Sequence, residues 1–289
     1  MLITVFTPTY NRAHLLKRVY KSLLQQQMPD FEWLLIDDGS TDATENVVRS
    51  FIVEGKIAIK YFKQPNLGKH VAINKGVLEA QGTYFLMLDS DDYLPVNALL
   101  ILKEKIEYAK QFINIGGVVG RKTFVNKQLI LTKFKENTIS NSLDIRFKYN
   151  VQGDLAEVFK TAVLKDFPFP EIENEKFCPE ALVWNRIAQK YDLLFFNEAI
   201  YVAEYLPDGL THNIVKIRMQ APFASMLHYA ELANYNVPLL IKLKSAINFW
   251  RFSYNSSLSL LQKMKYIKHF FYVTMLPLGF LMYLNDKKK

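Results

Sequence analysis

Leu2-Ile3-Thr4-Val5-Phe6-Thr7-Pro8-Thr9-Tyr10-Asn11-Arg12 opens the chain with an apolar run that gives way to a polar, proline-bearing end. A short apolar run bounded by turn residues reads as a buried strand. Three more such runs follow at residues 31–36, 57–62 and 84–88. Between the first two, residues 11–27 place Leu15, Leu16, Val19, Tyr20, Leu23 and Leu24 at helical spacing, with Lys17, Arg18 and Lys21 opposite. That pattern predicts an amphipathic helix. Asp42-Ala43-Thr44-Glu45 has the form of a helix start, continued on one face by Val47, Val48, Phe51 and Ile52. A third helix is predicted over 68–80. Strands and helices alternating at this spacing call for right-handed crossovers and a mostly parallel sheet covered on both faces. Ligands bind such sheets beyond the carboxyl ends of the strands. Those ends are residues 7–12, 37–40, 63–69 and 89–93, all polar, acidic or glycine-bearing.

Further along, helices are predicted at 99–112 and 180–191, strands at 116–120 and 129–131, an extended segment at 195–205, and a mostly helical stretch at 215–261. The fold class expected is therefore α/β, a mostly parallel sheet flanked by helices with a helical C-terminal extension. With 289 residues, 50% of them hydrophobic, the chain has enough to bury for a large domain with an appendage. Eleven glycines and eleven prolines are too few for a collagen-like or disordered chain. Cys178 is the only cysteine, which excludes an intramolecular disulfide scaffold and points to a reducing compartment. No signal peptide is read at the N-terminus, which runs directly into the first strand. The formal charge of +8 is local: residues 242–289 carry nine Lys/Arg and one acid, leaving 27 of each sign in residues 1–241. A nucleic-acid-binding body is not expected from that distribution.

Three constellations sit at the strand ends. Asp89-Ser90-Asp91-Asp92 sets three carboxylates together, a natural place for a hard divalent cation and equally for a solvated turn before the helix after Pro95. Asp37-Asp38-Gly39-Ser40 offers fixed acceptors suited to nucleobase N–H groups, or ordinary helix punctuation. Tyr10 and Arg12 pair an aromatic with a cation, suited to a base and a phosphate or to covering the next helix.

These blocks, together with Asn66-Leu67-Gly68-Lys69 and Asn74-Lys75-Gly76, resemble in order and spacing those of the family 2 glycosyltransferases. The resemblance implies a GT-A (Rossmann-like) fold. Residues 1–110 would form its nucleotide-sugar-binding half, 111–214 its acceptor-binding half with the catalytic base, and 215–289 a helical, basic C-terminal region. It implies an inverting, metal-dependent hexosyl- or N-acetylhexosaminyltransferase. Such an enzyme would use a nucleotide-sugar donor carrying UDP, and a cell-surface glycan or lipid-linked acceptor is expected because the basic C-terminal region would put the site beside a membrane. Site residues carried over are Pro8, Tyr10, Asp38 and Asn66 at the nucleoside, Lys69 toward the diphosphate, and Asp89 and Asp91 at ribose and a Mn²⁺ or Mg²⁺; Arg12 is expected at a phosphate from its own place beside the first strand end. Asp92 is a further candidate. His212, behind a family-like Asp208-Gly209-Leu210-Thr211, would complete the metal or diphosphate site, or is a packing residue, as is His70.

Inverting relatives carry a Glu-Asp pair with a Trp four residues after the Asp, and that Asp is the general base. Here the count from Trp184 reaches Glu180, preceded by Pro179, so the pair is Pro-Glu. A Glu can serve as the base with a methylene more reach, and Pro179-Glu180 is also a normal first helical turn. Two rivals stand beside this reading: a nucleotide-sugar-binding protein whose catalytic site has decayed, and a haloacid-dehalogenase-like phosphatase. At the C-terminus, residues 270–284 are apolar but about 22 Å long as a helix against roughly 30 Å of hydrocarbon. With Lys263, Lys265, Lys268 and Lys287 to Lys289 around aromatics, the tail suits an anionic membrane surface. The location expected is the cytoplasm, peripheral on the cytoplasmic face of a bacterial inner membrane. A helix packed on the catalytic domain is the alternative.

Overall fold

The structure, a computed structural model, describes residues 1–124, 134–204 and 213–288. Two compact units are distinguished, Met1–Pro168 with Ile187–Leu206, and Phe169–Arg186 with Pro207–Lys289. The expected strand at 129–131 and the segment Asp208 to His212 lie outside the described residues.

The first unit runs β1 (Ile3–Thr9), α1 (Ala13–Leu24), β2 (Phe31–Asp37), α2 (Thr44–Glu54), β3 (Ile59–Lys63), α3 (Lys69–Glu79), β4 (Tyr84–Met87) and α4 (Ala98–Ala109). It continues with β5 (Ile115–Phe124), β6 (Thr138–Ser140), α5 (Ser142–Phe147), β7 (Leu155–Lys160), α6 (Thr161–Asp166) and β8 (Asp192–Ala203). Eight strands form one sheet in the order β3-β2-β1-β4-β7-β5-β8-β6. The first four are mutually parallel, as the alternating pattern predicts. The strand direction reverses at β7, which is antiparallel to both β4 and β5, while β5 and β8 are parallel. The sheet is thus continuous across residue 110.

Every residue of β1 and β2 is buried, because helices cover both faces of the sheet. Val5, Trp33 and Leu35 pack with Leu16 and Val19 of α1 and Val48 of α2. On that face Tyr20 stacks on Phe51 with centroids 4.1 Å apart. Phe6 points the other way, as the period of two requires, and stacks on Phe85. Each Leu or Phe so buried contributes about 1.5–3 kcal/mol. Register then aligns the strand ends: Thr9 pairs with Asp37, Asp37 with Lys63, and Phe6 with Met87. The polar segments after these residues therefore share one rim.

The second unit contains α7 (Glu180–Ile187, up to Arg186), α8 (Ile214–Gln220), α9 (Pro222–Asn234), α10 (Leu239–Ser253), α11 (Leu260–Met264) and α12 (Leu276–Asp286), with a 3-10 turn at Phe270–Met275. The helix expected to reach 191 ends at Ile187, whose carbonyl takes the N–H groups of Lys190 and Tyr191 before β8 begins. Met226, Ala230, Phe249, Trp250 and Tyr272 form the core of this unit. Trp250 Nε1 donates to the Tyr272 carbonyl (2.9 Å), and Arg186 makes a two-pronged pair with Glu231. Pro277 does not interrupt the last helix but lies in its first turn, where a missing N–H costs nothing. Among the described residues no helix is long and apolar enough to cross a membrane.

Candidate functional site

The rim of the first unit is cross-linked by its own polar atoms. Asn11, held at φ 52°, uses its Oδ1 to accept the Thr41 N–H (2.8 Å), and its N–H donates to Ser40 Oγ (2.8 Å). The loops after β1 and β2 are so stitched together, leaving Tyr10 48% exposed beside them. Pro8 is buried within β1 opposite Ile36. Thr7 accepts the indole N–H of Trp33 (2.9 Å) and serves the core.

The two acids after β2 have separate tasks. Asp37 accepts from the Ser40 N–H (2.7 Å) and the Tyr61 hydroxyl (2.6 Å), and burial followed by this carboxylate pushes the Tyr61 phenol above its usual range. Asp38, also buried, accepts from the Leu67 N–H and Gln64 Nε2 (both 2.9 Å) on one oxygen and from the Gly68 N–H (2.8 Å) on the other. Gly68 has φ 102° and ψ 156°, a conformation that glycine alone adopts without strain, so its N–H can turn back to Asp38. A carboxylate has about four acceptor sites, so three donors leave room for one N–H from a ligand. The same loop carries Asn66 and starts α3 at Lys69, whose Nζ lies 2.6 Å from Asp89 Oδ1. His70, next along α3, is buried.

The acids after β4 also divide. Burial raises the Asp89 carboxyl, but the charges of Lys69 and Lys122 outweigh it and hold the group below its usual range. Asp91 is pushed up by burial and by the charge of Asp89, partly offset by Arg12 and Lys69. Asp92 turns inward: it accepts from the Tyr201 hydroxyl (2.6 Å) and the Glu204 N–H (2.8 Å), and burial followed by the charge of Asp89 pushes it up to about 7. The Tyr201 oxygen in turn accepts the Asp89 N–H (3.0 Å), and Lys122 Nζ stands 4.2 Å from the Tyr201 ring centroid. Arg18 of α1 binds the Asp91 carbonyl and Glu204.

Tyr201, Lys122, Arg18 and Glu204 are the site residues that sequence reading missed. Tyr201 and Glu204 lay in a segment already expected to be extended, but nothing in the spacing of Tyr201 pointed 109 residues back to Asp92.

Asp89 and Asp91 are the carboxylates that could hold Mg²⁺ or Mn²⁺, a cation that takes one or two carboxylates and completes its sphere with substrate phosphates. The charge of Asp89, which adds to burial in raising Asp91, is what such a cation would offset. Among the described residues no group of three or more His, Cys, Asp or Glu is placed to cage a metal without a substrate. His212 lies outside them.

In the second unit Glu180 is the first residue of α7, with Trp184 one turn on. Trp184 packs edge-on against Phe169 at 5.8 Å. Glu175 accepts the Phe223 and Ala224 N–H groups (2.7 and 2.9 Å) at the start of α9.

The model of the family described as "Glycosyl transferase family 2" matches residues 4–162. The chain is 32% identical over 191 residues to the GalNAc(5)-diNAcBac-PP-undecaprenol beta-1,3-glucosyltransferase of Campylobacter jejuni, covering 63% of this chain and 58% of that one. It is 30% identical over 184 residues to an uncharacterized glycosyltransferase of Haemophilus influenzae, covering 61% and 69%. The fold is similar to that of S. aureus TarS 1-349 solved in complex with UDP, at a TM-score of 0.63 and 21% identity over 92% of this chain and 78% of that one.

Proposed function

The chain belongs to glycosyl transferase family 2, and we propose that it transfers a hexosyl or N-acetylhexosaminyl group from a UDP-sugar to a hydroxyl of a cell-surface glycan or lipid-linked acceptor. The observation that carries this reading is the Asp38 loop. One buried carboxylate organises Leu67 and Gly68, and the loop delivers Lys69 to Asp89, so an acceptor for a base and the charges for a diphosphate belong to one hydrogen-bonded assembly. The UDP complex of the TarS neighbour supports the choice of nucleotide. The undecaprenol-linked substrate named for the Campylobacter relative supports a lipid-linked acceptor.

In the proposed reaction Asp38 accepts a ring N–H of the base, Tyr10, Pro8 and Asn66 border the nucleoside, Asp89 meets ribose, and Lys69 and Arg12 face the diphosphate. Asp89 and Asp91 would hold Mg²⁺ or Mn²⁺, which when bound neutralises charge on the departing nucleotide. Glu180 takes the proton from the acceptor hydroxyl as that oxygen attacks the anomeric carbon opposite the leaving group, and the configuration inverts. His212 is a further proposed metal or diphosphate contact. The location proposed is the cytoplasmic face of a bacterial inner membrane, supported by the lipid-linked acceptor and by the cationic C-terminal residues.

A donor panel with Mn²⁺ or Mg²⁺, reading nucleotide release with and without acceptor, tests this. Release from a UDP-sugar that stops on chelation is expected. Tight UDP binding without turnover of any donor would instead favour the decayed binding protein.

A further inference from the structure

The last helix of the second unit is built against the usual rule for a surface helix. α12 reads Leu276-Pro277-Leu278-Gly279-Phe280-Leu281-Met282-Tyr283-Leu284-Asn285-Asp286, yet its apolar side chains mostly face outward. One narrow stripe packs. Gly279 lies so close to α10 that a Cβ there would meet Trp250 Cβ at 2.4 Å and the Ile247 carbonyl at 2.8 Å. Tyr283, one turn on, stacks on Tyr254, and Asp286 closes the stripe with a two-pronged pair to Arg251 (2.5 and 2.8 Å). At 3.6 residues per turn, Leu281 stands about 200° round from Gly279 and is flanked by Leu278 and Leu284. These three are 61%, 49% and 40% exposed. The preceding 3-10 turn adds Phe270 and Phe271 at 77% and 56%.

The unpaired charge along residues 242–289 has one sign. Asp286 is the only acid in residues 242–289, and its side chain is 5% exposed and neutralised by Arg251. Lys265, Lys268, Lys287 and Lys288 are exposed at either end of the apolar residues. An outward row of Leu and Phe bracketed by exposed lysines is complementary to an anionic lipid surface, where rings and leucines enter the acyl boundary and ammonium groups stay at the phosphates. At 11 residues α12 is about 16 Å long, half the hydrocarbon thickness, so it is suited to lie in the interface and not to cross it.

We infer that Phe270, Phe271, Leu278, Leu281 and Leu284 form a wedge by which the protein lies on an anionic bilayer, with Lys265, Lys268, Lys287 and Lys288 as its headgroup contacts. This deepens the membrane-side reading above and rests on it. Gly279 and the Arg251–Asp286 pair have the role of presenting the wedge, since they fasten the opposite stripe to α10.

The test is sedimentation of the full chain with vesicles of phosphatidylglycerol and phosphatidylcholine, against phosphatidylcholine alone. The wild-type protein is expected to prefer the anionic vesicles and to lose that preference in high salt. Phe270→Ser/Leu281→Asn should weaken binding at least about tenfold with an unchanged unfolding midpoint, and Lys265→Ser/Lys268→Ser should lower the preference for anionic lipid. Ile52→Asn/Val53→Asn on α2, also exposed and apolar, should bind as the wild type does. If the wild type binds and the Phe270/Leu281 variant binds equally, the wedge is wrong and the membrane reading survives. If the wild type binds neither vesicle, both fall. If sedimentation velocity instead shows the wild type self-associating and that variant monomeric, with vesicle binding unchanged, the face is an interface between copies and the wedge is overturned.

Discussion

At the rim of the first unit Asp37, Asp38 and Asp92 each hold named donors: Ser40 and Tyr61, then Leu67, Gly68 and Gln64, then Tyr201 and Glu204. On the last helix of the second unit the reverse holds, with Leu278, Leu281 and Leu284 turned outward while the one acid is hidden against Arg251. A buried carboxylate must be met by donors or it costs several kcal/mol, so a rim of acids is held in shape from within. An exposed leucine costs little by itself, so an apolar face can be carried on the surface until something covers it. The first region is specified by its internal bonds, the second by what it meets.

That contrast can be broken or sharpened by substitution, starting with the proposed division of labour between donor binding and turnover. Glu180→Gln is expected to lower kcat by about 10²–10⁴-fold while UDP affinity by calorimetry stays unchanged. Loss of both together would deny Glu180 the role of base. Asp38→Ala should remove UDP binding and, by stranding two backbone N–H groups, lower stability by about 3 kcal/mol in urea unfolding. Unaltered stability would show the Asp38 loop to be less dependent on its internal bonds than its geometry indicates.

The second unit has its own buried titratable group. His228 is 6% exposed, and burial followed by the charge of Arg218 lowers its pKa from 6.5 to about 3. Between those values the unfolded chain binds a proton that the folded chain does not. Stability is therefore full above pH 6.5 and falls by at most about 1.4 kcal/mol per pH unit as the pH drops toward 3. Chemical denaturation of wild type against His228→Gln at pH 7 and pH 5 should show the wild type losing more. Equal losses would place the acid sensitivity elsewhere.

The smallest expected effect is that of Tyr201→Phe, which removes the hydroxyl joining Asp92 to the Asp89 N–H. About 1 kcal/mol of stability should be lost, with a raised Mn²⁺ concentration for half-maximal activity and little change in UDP affinity. An unchanged metal requirement would make Tyr201 a packing residue only.

How much of this was legible in the sequence differs along the chain for physical reasons. Residues 2–6, 31–36 and 84–88 announce themselves because both faces of a central parallel strand are covered, and nearly every residue must be apolar. The acids beyond them are visible as punctuation at strand ends. β7 and β6 were not seen. Leu155–Lys160 is six residues with Glu157 and Lys160 among them, and its partners in β4 and β5 lie far away in the chain. The helix predicted through 191 stops early because the Asp192 N–H is taken by the Asn114 carbonyl, a pairing no local pattern shows. Asp92 read as a further candidate beside Asp89 and Asp91, and its bonds to Tyr201 and Glu204, which no local pattern shows, give it a separate task.

The sequence by itself determined the alternation of strand and helix, the parallel half of the sheet, the position of its acidic rim and the confinement of the excess charge to the last sixth of the chain. These follow from hydrophobic periodicity and composition, which act over a few neighbouring residues. Tertiary structure alone decided the order β4-β7-β5-β8, the different tasks of Asp37, Asp38 and Asp92, the ion pair of Lys69 with Asp89, and the outward turn of Leu281. Each of these depends on which distant donor, charge or close-packed glycine arrives beside the residue, and that is settled only when the chain has closed on itself.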